Sequence, residues 1–161
     1  MRVETIILDC IKRKYQELNT DDDLINGICE YVKDNQIEQM LQNVNSRETR
    51  EFLVESFLTP ILDLPRNIIE EYFKNYKLIK GFRQFSKNIF QQAKRKYNNE
   101  QYSYDKKDEE GLISVLTKIY SNNILKNNFA VEISDILLDL DFLKTGNSKY
   151  SLRLIKWIEG K

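Results

Sequence analysis

The chain has 161 residues, of which 41% are hydrophobic and 31% are charged, and it contains no histidine. This composition predicts a globular protein rather than a disordered one, and the length is that of one ordinary domain. The absence of histidine excludes Ser-His-Asp and Cys-His catalysis, and zinc sites that need a histidine ligand. Lysine plus arginine and aspartate plus glutamate number 25 each, so the net charge is zero.

Apolar residues recur at three- and four-residue steps along most of the chain, which is the period of an amphipathic α-helix. The first helix is predicted over residues 3–18 and the second from Thr20 onwards. The acidic run at 21–23 suits the positive end of a helix dipole and caps free N–H groups. The pattern slips at 34–36 and resumes at Ile37, which predicts either a kink or a separate short helix.

In the middle of the chain, proline, glycine and capping residues predict where helices begin and end. Asn45-Ser46 caps a helix predicted over about 47–58, and Pro60 and Pro65 bracket a predicted connector. Gly81 predicts a break or a kink. Further helices are predicted from Pro65 to about residue 76, over about 82–97, over about 109–121, and from Val131 to Leu143.

The polar stretch 98–108 predicts the longest loop, and within one domain of residues 1–161 it is the candidate subdomain boundary. The tail 149–158 alternates in part, so it fits either a short strand or a last helix. The predicted fold is therefore all-α, a compact bundle of six to eight helices. A small C-terminal β-hairpin is the one addition that the tail allows.

The predicted helix 131–143, which ends with residues 136–143, and the following residues 144–152 resemble the recognition helix and the wing of a winged-helix module. This resemblance implies the C-terminal hairpin. The helix is acidic, which opposes insertion into the major groove of DNA, so the resemblance implies protein contacts instead. Its acidic residues are Glu132, Asp135, Asp139 and Asp141.

No residue pattern predicts a metal, cofactor or catalytic site. Cys10 and Cys29 are too few for a zinc site and fall at helical spacing among apolar residues. We interpret them as core residues, with a disulfide or a reactive thiol as the alternative. The acidic run 21–23 fails as a calcium loop because Leu24 and Lys33 occupy ligand positions. The five glycines are isolated, so there is no phosphate-binding loop.

The distribution of charge is the most informative feature of the sequence. Residues 74–96 contain eight lysines or arginines and no acid, whereas 1–73 contain 15 acids and 8 bases. On a helix, four of these cations fall within an arc of about 60°. The predicted binding residues are Lys77, Lys80, Arg83, Lys87, Lys94, Arg95 and Lys96.

Such a stripe of cations repels itself unless something anionic lies nearby. Three anionic partners fit: the phosphates of a nucleic acid, an acidic protein surface, or the chain's own acidic segments 1–73 and 97–110. Four aromatic residues are candidates for the same interface, with core packing as the alternative. They are Tyr97, Tyr102, Tyr104 and Trp157.

These observations predict a non-catalytic helical accessory or adaptor subunit of a larger protein complex that handles nucleic acid. The alternative is direct binding of DNA or RNA by the basic helix 80–96. A protein is the expected partner and a nucleic acid the second. No membrane partner, small-molecule substrate, metal or cofactor is expected, because no apolar run spans a bilayer and no site motif is present. The low cysteine content suits the cytoplasm.

Overall fold

A computed structural model of the chain describes residues 3–14 and 22–161, and within those ranges it contains helices and no strand. The all-α class is therefore confirmed. The helices are α1 (Val3–Lys14), α2 (Asp22–Asp34), α3 (Ile37–Leu41), α4 (Arg47–Leu62), α5 (Arg66–Lys74), α6 (Tyr76–Tyr97), α7 (Lys106–Tyr120), α8 (Asn123–Asn128), α9 (Ala130–Thr145) and α10 (Leu152–Glu159).

The chain divides into two compact units, Met1–Lys77 and Leu78–Lys161. The division falls near the start of α6, whereas the predicted subdomain boundary at 98–108 lies inside the second unit. Tyr15 and Leu18, predicted to end the first helix, lie outside the described residues. The predicted start of the second helix at Thr20 lies outside them too.

In the first unit, α1 packs against α4 and α2, and α2 packs against α5. Tyr31 of α2 stacks on Phe57 at a centroid distance of 5.6 Å and meets the edge of Phe73 at the same distance. Helices α2 and α5 approach each other at Gly27, where an added Cβ would overlap the carbonyl oxygen of Phe73. Only glycine permits this close contact between the two backbones.

The described part of the second unit contains α7 packed on α8, α8 on α9, and α9 on α10. Phe82 of α6 is fully buried and meets Phe129 edge-on at 5.9 Å. Gly146 ends α9 in the left-handed conformation with φ of 73°, as its position after the apolar run predicts.

The predicted number of six to eight helices is not confirmed, since ten are present in the described ranges. Helices α3 and α8 have only five and six residues, too few for a strong periodic signal. The C-terminal hairpin and wing are not confirmed either. Ser151 accepts the N–H of Leu154 and caps α10 there, so the tail takes the helical alternative.

The helix end predicted before Pro60 is wrong, and so is a helix break at Gly81. Pro60 lies inside α4, which continues to Leu62, and α6 runs unbroken through Gly81. Near a helix end, a proline removes one hydrogen bond, and the burial of Leu58 and Leu62 on the same helix offsets that loss. Glycine costs only about 1 kcal/mol in a helix interior, which tertiary packing overrides.

Several apolar residues of the predicted helices are largely exposed, among them Phe52 and Leu137. Phe52 is 67% exposed and Leu137 is 47% exposed, although both are apolar. Each helix has more apolar residues than its buried side can hold, so some of them face solvent. None of the described helices combines the length and apolarity that crossing a membrane requires.

Candidate anion-binding face

Helix α6 separates a buried side from a charged side at helical spacing. Ile79, Phe82, Ser86, Ile89 and Ala93 are buried and recur every three or four residues. The exposed positions between them carry only cations and amides, from Lys80 to Gln91. The sequence therefore orients the charged side outward by burying the other side.

The seven predicted binding residues do not share one environment. Lys77 is exposed and belongs to the first unit, whereas the other six lie in the second. Lys94 and Lys96 are half-buried. The remaining four residues of the second unit are exposed, and we call them the basic face. They are Lys80, Arg83, Lys87 and Arg95.

Lys96 contributes to the fold of the second unit. Its ammonium donates a hydrogen bond of 2.6 Å to the carbonyl of Phe142, in the last turn of α9. A cation there compensates the negative end of the helix dipole. The same ammonium lies 4.9 Å from the ring centroid of Phe142 and 5.2 Å from that of Tyr102. The prediction of Lys96 as a binding residue therefore competes with a structural role.

Lys94 also contacts aromatic rings within the second unit. Its ammonium lies 4.7 Å from the ring centroid of Phe90 and 5.8 Å from that of Trp157. Both distances are within the range of cation–π attraction. The ammonium of Lys161 lies 4.3 Å from the ring centroid of Trp157. Two cations therefore lie close to the indole.

Lys87 and Arg95 are different from these lysines. Across residues 3–14 and 22–161, no hydrogen bond or ion pair involves either side chain. Arg83, on the same face, lies 5.5 Å from the ring centroid of Phe129. Lys87 and Arg95 are therefore the members of the basic face that are most available to an external anion.

Segment 97–110 contacts α6 at Gln92. The Ser103 N–H donates to Gln92 Oε1 at 2.8 Å, which fixes the segment beside the amide side chains of α6. Asp105 caps α7 by accepting the N–H of Lys107, and Glu109 pairs with Lys144. This segment forms no described ion pair with Lys87 or Arg95.

The four aromatic candidates divide into two pairs. Tyr97 and Trp157 are half-buried and meet nearly edge-on at 5.9 Å, beside Tyr150. They pack against the buried cluster of Ala93, Phe142 and Leu154. Tyr102 and Tyr104 are exposed to 39% and 38%. The first pair is in the packed position that the alternative interpretation predicts, and the second is accessible to a partner.

One charged cluster, centred on Arg153, was not predicted from the sequence. This guanidinium donates to Asp139 Oδ2 at 2.7 Å and to the Ser86 hydroxyl and carbonyl at 2.6 and 3.1 Å. Asp135 accepts the N–H of Leu152 at 2.9 Å. The signal for this cluster was an aspartate on the apolar face of α9, because a buried carboxylate needs a cationic or hydrogen-bonding partner.

Burial raises the pKa of Asp139 above its usual value of 3.8, although Ser151 and Arg153 oppose that shift. The carboxyl group of Asp139 therefore holds its proton more tightly in the folded state than in the unfolded state. The contribution of Asp139 to stability falls as pH rises from the unfolded pKa through the folded pKa, and it levels off above the folded pKa.

We expect wild-type protein to gain stability relative to Asp139→Asn as pH falls from neutral towards about 4. Asparagine cannot take up this proton, so the variant removes the contribution. Urea denaturation across this pH range measures the difference between the two free energies of unfolding. If the free energy of unfolding of wild type minus that of the variant stays constant, or falls towards acid pH, the raised pKa of Asp139 is contradicted.

The described residues contain no group of three or more cysteine, aspartate or glutamate side chains placed to hold a metal ion. Cys10 and Cys29 are both free thiols, and burial raises the pKa of each. A raised pKa lowers the thiolate fraction and therefore the reactivity. Comparisons with protein-family models, with curated proteins and with solved structures find no match to this chain.

Proposed function

We propose that this protein is a non-catalytic helical accessory or adaptor subunit of a larger complex that handles nucleic acid. The observation that supports the proposal is the exposure of Lys87 and Arg95 without a described ion-pair partner. A protein surface that keeps like charges together suits an oppositely charged partner. The free cysteines fit a reducing compartment, so the proposal places the protein in the cytoplasm.

The basic face lies on α6, which is packed into the second unit. Its helix is held by the burial of Phe82 and Ala93 and by the bonds from Arg153 to Ser86. Charges on a fixed helix present a constant spacing to a partner. Complementary charges set the orientation and the association rate of a complex more than its affinity. An adaptor that fixes the register between subunits needs these properties.

An affinity purification from the protein's own cells tests the adaptor proposal. We expect a tagged wild-type chain to retain a protein partner, and the double variant Lys87→Glu/Arg95→Glu to lose it. The matched control is Lys118→Glu/Lys149→Glu, which reverses two exposed lysines that have no described side-chain bond. The same partner in all three purifications, or none in any of them, would contradict the proposal.

The alternative function is direct binding of DNA or RNA by α6. Gln84 and Gln91 are exposed on the same side as the basic face, and amide side chains hydrogen-bond to phosphates and to base edges. Each cation that neutralises a phosphate also releases counterions. Nucleic-acid binding would therefore depend steeply on salt.

A further inference from the structure

A small cavity in the second unit is lined by acidic and apolar residues, whereas the basic face carries cations. Its volume is about 170 Å³, and it lies among α6, the segment that precedes α7, α7 itself and α9. Its apolar floor is formed by Phe85, Ile89, Leu140 and Leu143. Small-molecule sites usually measure about 300–1,000 Å³, so this cavity has room for one side chain rather than a cofactor.

Three carboxylates line the same cavity, at Asp105, Asp108 and Glu109. Glu109 is neutralised by its ion pair with Lys144. Asp108 is exposed, and its carboxylate forms no hydrogen bond or ion pair among the described residues. Asp105 accepts one backbone N–H and no cation. The rim therefore keeps a net negative charge above an apolar floor.

We propose that this cavity binds an arginine side chain of a partner protein. The aliphatic stem of arginine covers apolar surface while its guanidinium stays at the polar edge. A guanidinium also forms two parallel hydrogen bonds to one carboxylate, which Asp108 provides. This site differs from the basic face in residues, in sign of charge and in ligand, so it adds a second contact to the adaptor.

An NMR titration of the ¹⁵N-labelled full chain with N-acetyl-arginine methylamide tests the proposal. We expect saturable shifts at the backbone amides of Gln92, Asp108 and Glu109, with a dissociation constant of about 1 mM. The citrulline analogue has nearly the same shape and no charge, and we expect it to produce far smaller shifts. Asp108→Asn is expected to weaken arginine binding roughly tenfold.

Glu110→Gln is the matched control, because Glu110 is exposed on the same helix and does not line the cavity. It should bind the arginine probe like wild type. No shifts, equal shifts with citrulline, or equal weakening in Glu110→Gln would overturn the proposal. If the chemical shifts of these amides change with protein concentration when no probe is present, the cavity binds a second copy of this chain. That result would overturn the proposal as well. None of these outcomes depends on anion binding by the basic face.

Discussion

Replacing Arg153 with methionine is expected to lower the free energy of unfolding of the second unit by about 3–5 kcal/mol. Methionine keeps an unbranched stem but removes three hydrogen bonds, one to Asp139 and two to Ser86. Asp139 is fully buried, so its carboxylate would be left without its cation. The guanidinium also lies 4.8 Å from the ring centroid of Phe90, and that attraction is lost too.

Urea denaturation followed by the fluorescence of Trp157 measures this effect, because that is the one tryptophan of the chain and it lies in the second unit. Lys156→Met is the matched control on the same helix, since Lys156 is exposed and has no described side-chain bond. We expect the control to stay within about 0.5 kcal/mol of wild type. Equal stability of Arg153→Met and Lys156→Met would contradict a structural role for Arg153.

Replacing Gly27 with alanine is expected to destabilise the first unit by about 2–3 kcal/mol. The new Cβ would overlap the backbone carbonyl of Phe73, and backbone cannot rotate away as the end of a side chain can. Helices α2 and α5 would have to separate, which would disturb the contacts of Tyr31 with Phe73 and Tyr76. Alanine is the better helix former, so the loss occurs despite a gain in propensity.

Gly81→Ala is the matched control for this substitution, because an added Cβ there meets nothing within 4 Å beyond its chain neighbours and the backbone of its own helix. We expect it to raise the free energy of unfolding by about 1 kcal/mol, since only the helix propensity changes. Urea denaturation followed by circular dichroism measures both variants. If Gly27→Ala is as stable as Gly81→Ala, the close packing of α2 on α5 is wrong.

The sequence predicts helices well where an apolar period and a capping residue agree. Ser46 accepts the N–H of Thr49 and begins α4 where the capping pattern predicts it. The buried residues of α1, Ile7 and Ile11 among them, recur at three- and four-residue steps, as the apolar period predicts. Both signals are local, so one sequence is enough to detect them.

Features that depend on tertiary contacts were not predictable in this way. Pro60 and Gly81 are strong local breakers, but packing carries the helix through each of them. The ion pair of Arg153 with Asp139 joins α10 to α9, so no local pattern predicts it. Likewise, sequence alone could not separate Lys96, which bonds to α9, from Lys87, which forms no described bond.

Fluorescence anisotropy tests most directly whether the basic face binds an anionic surface. The labelled probes are generic duplex DNA, single-stranded RNA and polyglutamate, each titrated at two salt concentrations. We expect salt-sensitive binding to at least one probe, lost in Lys87→Glu/Arg95→Glu and retained in Lys118→Glu/Lys149→Glu. For a nucleic acid, replacing Lys87 and Arg95 with neutral residues should make the plot of log binding constant against log salt concentration less steep. Its slope should fall in magnitude by about 1.4–1.8. Absence of binding to every probe at low salt, or equal loss in both double variants, would contradict the assignment of the basic face.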